Sequence, residues 1–259
     1  MSEFQAYHFR AIDRPLTHQE QEQVNQLSSR FFTNANSYSL HYSYSSFRHD
    51  EEKVLEKYYD AFLYEANWGT RKLMFRFPKD LVDAEALEQF TIEDTVYSSI
   101  QFEQKKNWAI LKFEYGEEEG WVDWIEEGSY WLDKMIQLRE DIINGDYRSL
   151  YLYWLMVNEN YEEYNDDDDD DELHTSPPVP PNLKKLSTAL ESFTEFFHIS
   201  DEIIEEAAKE SKNYQNKINY EGLIPKLSEA EKTEWLIKVV KGELRVDVLL
   251  RNRLEKMKE

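Results

Sequence analysis

Apolar positions recur in two different periods along the first 115 residues. The stretch Phe4 to Arg10 alternates and continues to Ile12, placing Tyr7, Phe9 and Ala11 on one face, the signature of a strand. Thr17 and Glu20 then form a capping box, and Val24, Leu27 and Phe31 make a stripe that predicts a helix. From Ser37 the alternation is strict. Tyr38, Leu40, Tyr42 and Tyr44 oppose Ser39, His41, Ser43 and Ser45, as in a half-buried strand. Asp50 can cap the next element, where Val54/Leu55, Tyr58/Tyr59, Phe62/Leu63 and Ala66 recur every four residues. That spacing predicts one helix running to Ala66, laid on a sheet and broken at Asn67-Trp68-Gly69-Thr70. Arg71 to Phe77 reads as a strand with Leu73, Phe75 and Phe77 inward and Lys72 and Arg76 outward. A short helix near 83–90 precedes a hairpin, 97–102 and 108–115, turning through 103–107. The order β-α-β-α-β-α-β-β predicts an α+β layer: a mixed sheet with helices on one face, of which a ferredoxin-like arrangement is one form.

After Tyr115 the alternation stops. Residues 116–128 are acidic and glycine-containing, which reads as a loop. Helical stripes follow: Trp131, Leu132, Met135, Ile136, Ile142 and Ile143; the apolar run 147–157; Leu183, Leu186, Leu190, Phe193 and Phe197. Ser200 can cap a helix over 201–211. Ser228 and Glu231 form a second capping box ahead of Trp235, Leu236, Val239 and Val240, with Gly242 as the stop and a last helix to about Met257. The predicted organisation is an α+β domain over 1–115 and a helical domain over 116–259, interrupted at 161–182 by an acidic, proline-rich linker.

Charge changes this picture. The net charge is −23 over 259 residues, but it is unevenly spread. Residues 1–115 carry 13 basic and 18 acidic side chains, 116–182 carry 3 and 20, and 183–259 carry 14 and 15. A central block of that sign repels nucleic-acid backbones and anionic lipid and attracts a basic surface. Cysteine is absent, so disulfides and thiolate chemistry are excluded. No run of 18 apolar residues occurs, and the N-terminal residues lack a signal pattern, so the expected compartment is the cytoplasm.

The candidate chemistry is sparse. Asp166, Asp167, Asp168, Asp169, Asp170 and Asp171 form an unbroken tract followed by four prolines within 177–181. An EF-hand loop needs spaced ligands, a central glycine and a terminal glutamate, none of which the tract has. Like-charge repulsion and polyproline geometry favour a solvated linker that can also serve as a docking strip, with Trp121 and Trp124 of the acidic loop as accompanying interface anchors. Mimicry of a nucleic acid would require such carboxylates on a rigid face. Glu103 and Lys105, with Asp80 upstream, match half of a metal-dependent nuclease pattern, but they fall where the hairpin turns, so a polar turn is the preferred reading. His8 and His41 can face each other on neighbouring strands as a satisfied sheet pair. Arg71, Lys72 and Arg76 with Lys79 form a compact basic cluster. It can contact phosphate or an acidic partner, meet the chain's own acidic segments, or guard a sheet edge. No catalytic residue, metal site or cofactor is expected.

The segments "SEFQAYHFRAIDRPL" and "ANWGTR" carry one further reading. They resemble an uncharacterised bacterial family that shares this opening, the acidic tryptophan loop and the "PPVPP" segment. The resemblance implies a bacterial cytoplasmic protein accompanying multi-gene systems with helicase or zinc-finger components, phage defence among them. It supplies no activity, cofactor or catalytic position. Together these readings predict a non-enzymatic accessory subunit that docks a larger, more basic protein. An acidic nucleic-acid mimic and a nuclease are the alternatives, and the oligomeric state is open.

Overall fold

The computed structural model describes residues 3–92, 98–116, 129–164, 176–213 and 218–257. It is an α+β structure. Its seven strands are β1 (Phe4–Arg10), β2 (Phe31–Asn34), β3 (Ser37–Ser43), β4 (Ala61–Ala66), β5 (Arg71–Pro78), β6 (Ser98–Gln104) and β7 (Trp108–Tyr115). They form one sheet in the order β2-β3-β1-β4-β5-β7-β6, and each neighbouring pair is antiparallel. The expected mixed sheet is therefore corrected. Helix α1 (His18–Asn25) joins β1 to β2 and α2 (Glu51–Tyr58) joins β3 to β4, so each connection skips one strand and its two ends never pair.

The four-residue recurrence after Asp50 proved ambiguous. Asp50 caps α2 as expected, but the helix stops at Tyr58, and Ala61–Ala66 is the strand β4 near the middle of the sheet. All six of its residues are buried because both of its faces are covered. Phe62 and Tyr64 join the cluster under α1 and α2, whereas Ala61 and Leu63 join the opposite one. A strand buried on both sides loses its alternation and becomes a continuous apolar run, which four-residue spacing fits equally well. Phe31 likewise leaves the predicted helix and starts β2, although the Thr17–Glu20 capping box is formed as expected. Tyr44 falls outside β3, 70% exposed, at φ 59°.

Helices lie on both faces, not one. Val24 of α1 and Val54 and Leu55 of α2 pack on Tyr7, Phe9, Leu40 and Phe62. The other face, carrying Leu63, Leu73, Phe75, Leu111 and Phe113, packs against α3 (Ala84–Glu88) and a layer of later helices: α4 (Ser129–Met135), α5 (Gln137–Ile143), α6 (Arg148–Tyr164), α7 (Thr188–Phe196) and α8 (Asp201–Glu210). Phe113, Tyr153, Phe193 and Phe197 meet edge to face or tilted at 4.8–6.2 Å, a geometry that adds to plain area burial. The described chain after Tyr115 is helical, and it shares this core with the sheet.

The proline segment does not hang free. Pro177 and Pro180 are buried. The Ser211 hydroxyl donates to the Pro180 carbonyl at 2.8 Å and accepts from the Leu183 amide at 3.0 Å. The stiff solvated exit expected of 177–181 is thus corrected to a docked strap, with Val179 packed against the core that the helical layer shares. Last come α9 (Tyr220–Leu223), α10 (Glu229–Val240) and α11 (Val246–Glu255), around a small cluster of Leu223, Leu227 and Leu254. The Ser228–Glu231 capping box starts α10 as expected, but α10 buries no residue. Its stripe of Leu236, Val239 and Val240 faces outward.

Candidate functional site

Two helices of the later layer build a groove. Tyr151, Leu155 and Glu159 of α6 face Ile203, Glu206, Ala207 and Glu210 of α8, with Ser176 at one end, enclosing about 310 Å³. The helices form for local reasons. Ser200 caps α8, its hydroxyl accepting from the Ile203 amide at 3.3 Å, and Asp201 and Glu202 sit in the first turn, where the helix dipole favours them. Within α8, Ile203 and Ala207 lie one turn apart, as do Glu206 and Glu210, so one helix supplies an apolar floor and an acidic rim. Glu159 adds a carboxylate from across the groove. Lys209 reaches Glu206 at 2.5 Å. A lysine or arginine suits such a surface, its aliphatic stem lying on Tyr151, Leu155 and Ile203 and its head group meeting the rim.

The groove flanks the aspartate tract in sequence: Glu159 lies near the end of α6, and Ser176 is the first described residue beyond it. Asp166, Asp167, Asp168, Asp169, Asp170 and Asp171 lie outside the described residues, as do Trp121 and Trp124. The sequence reading named the tract but missed the groove. The spacing in α8 was a legible signal, whereas the meeting of α6 and α8 was not.

Strand geometry splits the basic cluster. Arg71 lies on the face of the later helices, donating to the Phe196 carbonyl at 2.5 Å with its guanidinium 5.5 Å from that ring. Lys72 points to the other face, where Glu114 and Glu51 hold it at 2.9 and 3.5 Å. Burial works against its charge, but those two carboxylates outweigh it and raise its pKa. Arg76, expected to point outward, is 9% exposed. It binds Asp60 at 2.6 Å and stacks 4.2 Å from the Trp108 ring. All three cations are therefore engaged within the chain. Lys105 is similarly held by Glu103 and Glu52, while Asp80 is exposed in the turn after β5. Among the described residues no three His, Asp or Glu side chains are grouped to hold a metal ion.

The apolar cores contain ions that the sequence reading did not anticipate. Arg139 of α5 is 1% exposed, yet its guanidinium binds Asp13 at 2.7 and 3.0 Å and its Nε donates to the Arg76 carbonyl at 2.8 Å. Arg245 joins Asp13 at 3.2 Å and also pairs with Glu140. The buried Asp60 accepts from the Ile12 and Asp13 amides at 2.7 and 3.0 Å. Burial disfavours the Asp13 carboxylate, but Arg139 and Arg245 outweigh it and hold its pKa below the usual range. This network ties the β1 exit to β5, α5 and the start of α11.

His8 and His41 do meet, ring to ring at 5.4 Å. His8 Nδ1 lies 3.0 Å from the Ser39 hydroxyl, but its buried Nε2 has no partner. Burial, then the charges of His41 and Arg10, push its pKa down to about 3, so it stays neutral. Glu65, on the same sheet face, is pushed up to about 8 by burial, with Arg71 opposing. Both groups are buried, His8 at 0% and Glu65 at 6% exposure.

No protein-family model matches the chain, and no curated protein matches it. Among solved structures, an aspartate kinase from Clostridium acetobutylicum aligns with 56% of this chain and 33% of its own length, at 9% identity and a TM-score of 0.20. That score carries no argument about fold or activity.

Proposed function

We propose that this chain is an accessory subunit that docks a basic segment of a larger protein. The observation that carries the reading is the α6–α8 groove, whose apolar floor and rim of Glu159, Glu206 and Glu210 are complementary to lysine and arginine side chains. The central acidic block supports it by steering a basic partner toward that part of the surface. A bacterial cytoplasmic setting within a multi-gene system follows from the sequence resemblance alone. In the first 66 residues, the β-α-β-β-α-β succession and the strand order β2-β3-β1-β4 support reading that unit as ferredoxin-like, a scaffold that by itself names no activity.

The test uses a labelled ten-residue peptide of alternating lysine and leucine. The triple variant Glu159→Gln/Glu206→Gln/Glu210→Gln should weaken its binding about tenfold. A control with the same charge change elsewhere, Asp80→Asn/Glu85→Gln/Glu88→Gln, should change it less than about twofold. Replacing Asp166–Asp171 with serine should add a further loss that shrinks as salt rises. Equal losses in the two triple variants would reduce the effect to bulk charge and remove the groove. Absence of peptide binding by the unaltered chain would do the same.

A further inference from the structure

Helix α10 is amphipathic in the wrong sense for a monomer. Its better-covered positions are Glu231, Lys232, Trp235 and Lys238, whereas Leu236, Ile237, Val239 and Val240 are 65%, 47%, 59% and 87% exposed. Leu244 just beyond it is 59% exposed and Ile224 just before it 44%. A surface helix ordinarily turns its apolar stripe to the core. Here Thr233, Leu236, Ile237 and Val240 recur at three- and four-residue spacing on the outside, and a contiguous apolar strip of that kind marks a contact surface.

We propose that the occupant of this strip is a second copy of the same chain, with α10 packed antiparallel on its two-fold mate. Charge favours this occupant. Glu234 and Lys241 lie seven residues apart, so they flank the strip on the same side. Antiparallel packing brings like flanks together in opposite directions. Each Glu234 then meets the Lys241 of the mate, twice over, whereas a parallel arrangement forfeits that reciprocity. Lys241 is exposed, and Glu234 is 64% exposed and pairs, among the described residues, with Lys238 of its own helix at 2.8 Å. Residues 224–259 carry 9 basic and 7 acidic side chains, so two copies approach here without the repulsion their central blocks would impose. An isologous contact also covers both strips at once. A single helix face removes on the order of 400 Å² per copy, about 800 Å² in all and below the roughly 1,200 Å² where stable specific interfaces begin, so the dimer is weak, with a dissociation constant of roughly 10–100 µM.

Sedimentation equilibrium of the full chain from about 1 to 300 µM tests this. The unaltered chain should shift from monomer to dimer across that range. Val240→Glu should weaken the dimer at least about tenfold without moving the thermal midpoint, since that side chain touches solvent. Glu234→Lys and Lys241→Glu should each weaken it about fivefold or more, because each sets like charges face to face. Mixed in equal amounts, these two variants should recover association to within about twofold of the unaltered chain. A monomer at every concentration would overturn the proposal. So would single variants that fail to rescue each other. Association with neutral lipid vesicles by a chain that remains monomeric would assign the strip to a membrane surface instead.

Discussion

Replacing Arg139 with methionine isolates the buried ion network, because methionine keeps most of the volume and none of the charge. The substitution removes two bonds to Asp13, at 2.7 and 3.0 Å, and one to the Arg76 carbonyl at 2.8 Å. Asp13 keeps only Arg245, at 3.2 Å and 23% exposed. Breaking a buried pair by removing one partner costs about 3–5 kcal/mol; the surviving Arg245 contact puts this case near the lower figure, about 3 kcal/mol. For a chain of this size that lowers the thermal midpoint by about 6–12 °C. The pH dependence has a fixed sign. The folded-state pKa of Asp13 is depressed, so its stabilising contribution is present above the usual aspartate range and lost only as pH falls through the lower, folded value. In the variant the deficit should therefore be full from about pH 7 down to the usual aspartate range and shrink only below it, as Asp13 protonates. Urea unfolding followed by circular dichroism at about pH 7, 4.5 and 2.5 measures it. Adding Asp13→Asn to the variant should return about 1–3 kcal/mol relative to additivity. A loss under about 1 kcal/mol at pH 7, or a deficit that does not change with pH, would refute the claim that these ions act as one unit.

Two other perturbations read separate parts of the structure. Glu65 holds its proton to about pH 8 when folded, while an unfolded glutamate releases it near 4.5. Stability from the protonated form is complete below the lower value and lost as pH rises through the higher one. Glu65→Gln should thus match the unaltered chain at pH 5 and exceed it by at least about 1 kcal/mol at pH 8.5 in urea midpoints; no divergence between the two pH values would mean that Glu65 is solvated. Ser211→Ala should cost about 2 kcal/mol by stranding the Pro180 carbonyl and Leu183 amide, and should speed proteolysis within 176–182. Unchanged cleavage there would mean that the strap is not held by that hydroxyl.

Local features were legible in the sequence and long-range ones were not. The caps at Thr17, Asp50, Ser200 and Ser228 form as read, because each depends on residues three positions apart. The alternation of Tyr38, Leu40 and Tyr42 was equally direct, one face of β3 being buried and the other only partly covered. Strand β4 was misread because the helices covering its second face begin more than sixty residues downstream. Arg139 sits between Leu138 and Ile142 on a buried face, and its partner Asp13 lies 126 positions away, so no local pattern could announce the pair. The site shows the same division. The floor and rim of α8 were readable from spacing, but only the packing of α6 beside α8 makes them a groove.

The placement of the cations sharpens the partner argument. In the sheet half, Arg10 is paired with Asp133, Lys72 with Glu51 and Glu114, Arg76 with Asp60, Lys105 with Glu52 and Glu103, and Lys112 with Glu114. Arg139 and Arg148 of the helical layer are held by Asp13 and Asp146. With Arg14 and Lys53, nine of the sixteen basic side chains before residue 183 are paired with carboxylates among the described residues, and on the proposed reading the surplus carboxylates of the central block are what a basic partner meets. The α10 strip differs in kind: its contact is apolar at the centre and its two flanking pairs are secondary. Screening therefore separates the two surfaces. Between about 50 and 500 mM salt, binding of a basic segment at the groove should fall steeply, because its attraction is Coulombic and acts across solvent. Self-association through α10 should fall little, because removal of apolar area from water does not weaken with ionic strength. If both contacts weaken in parallel, they share one electrostatic origin and the assignment of two distinct surfaces fails.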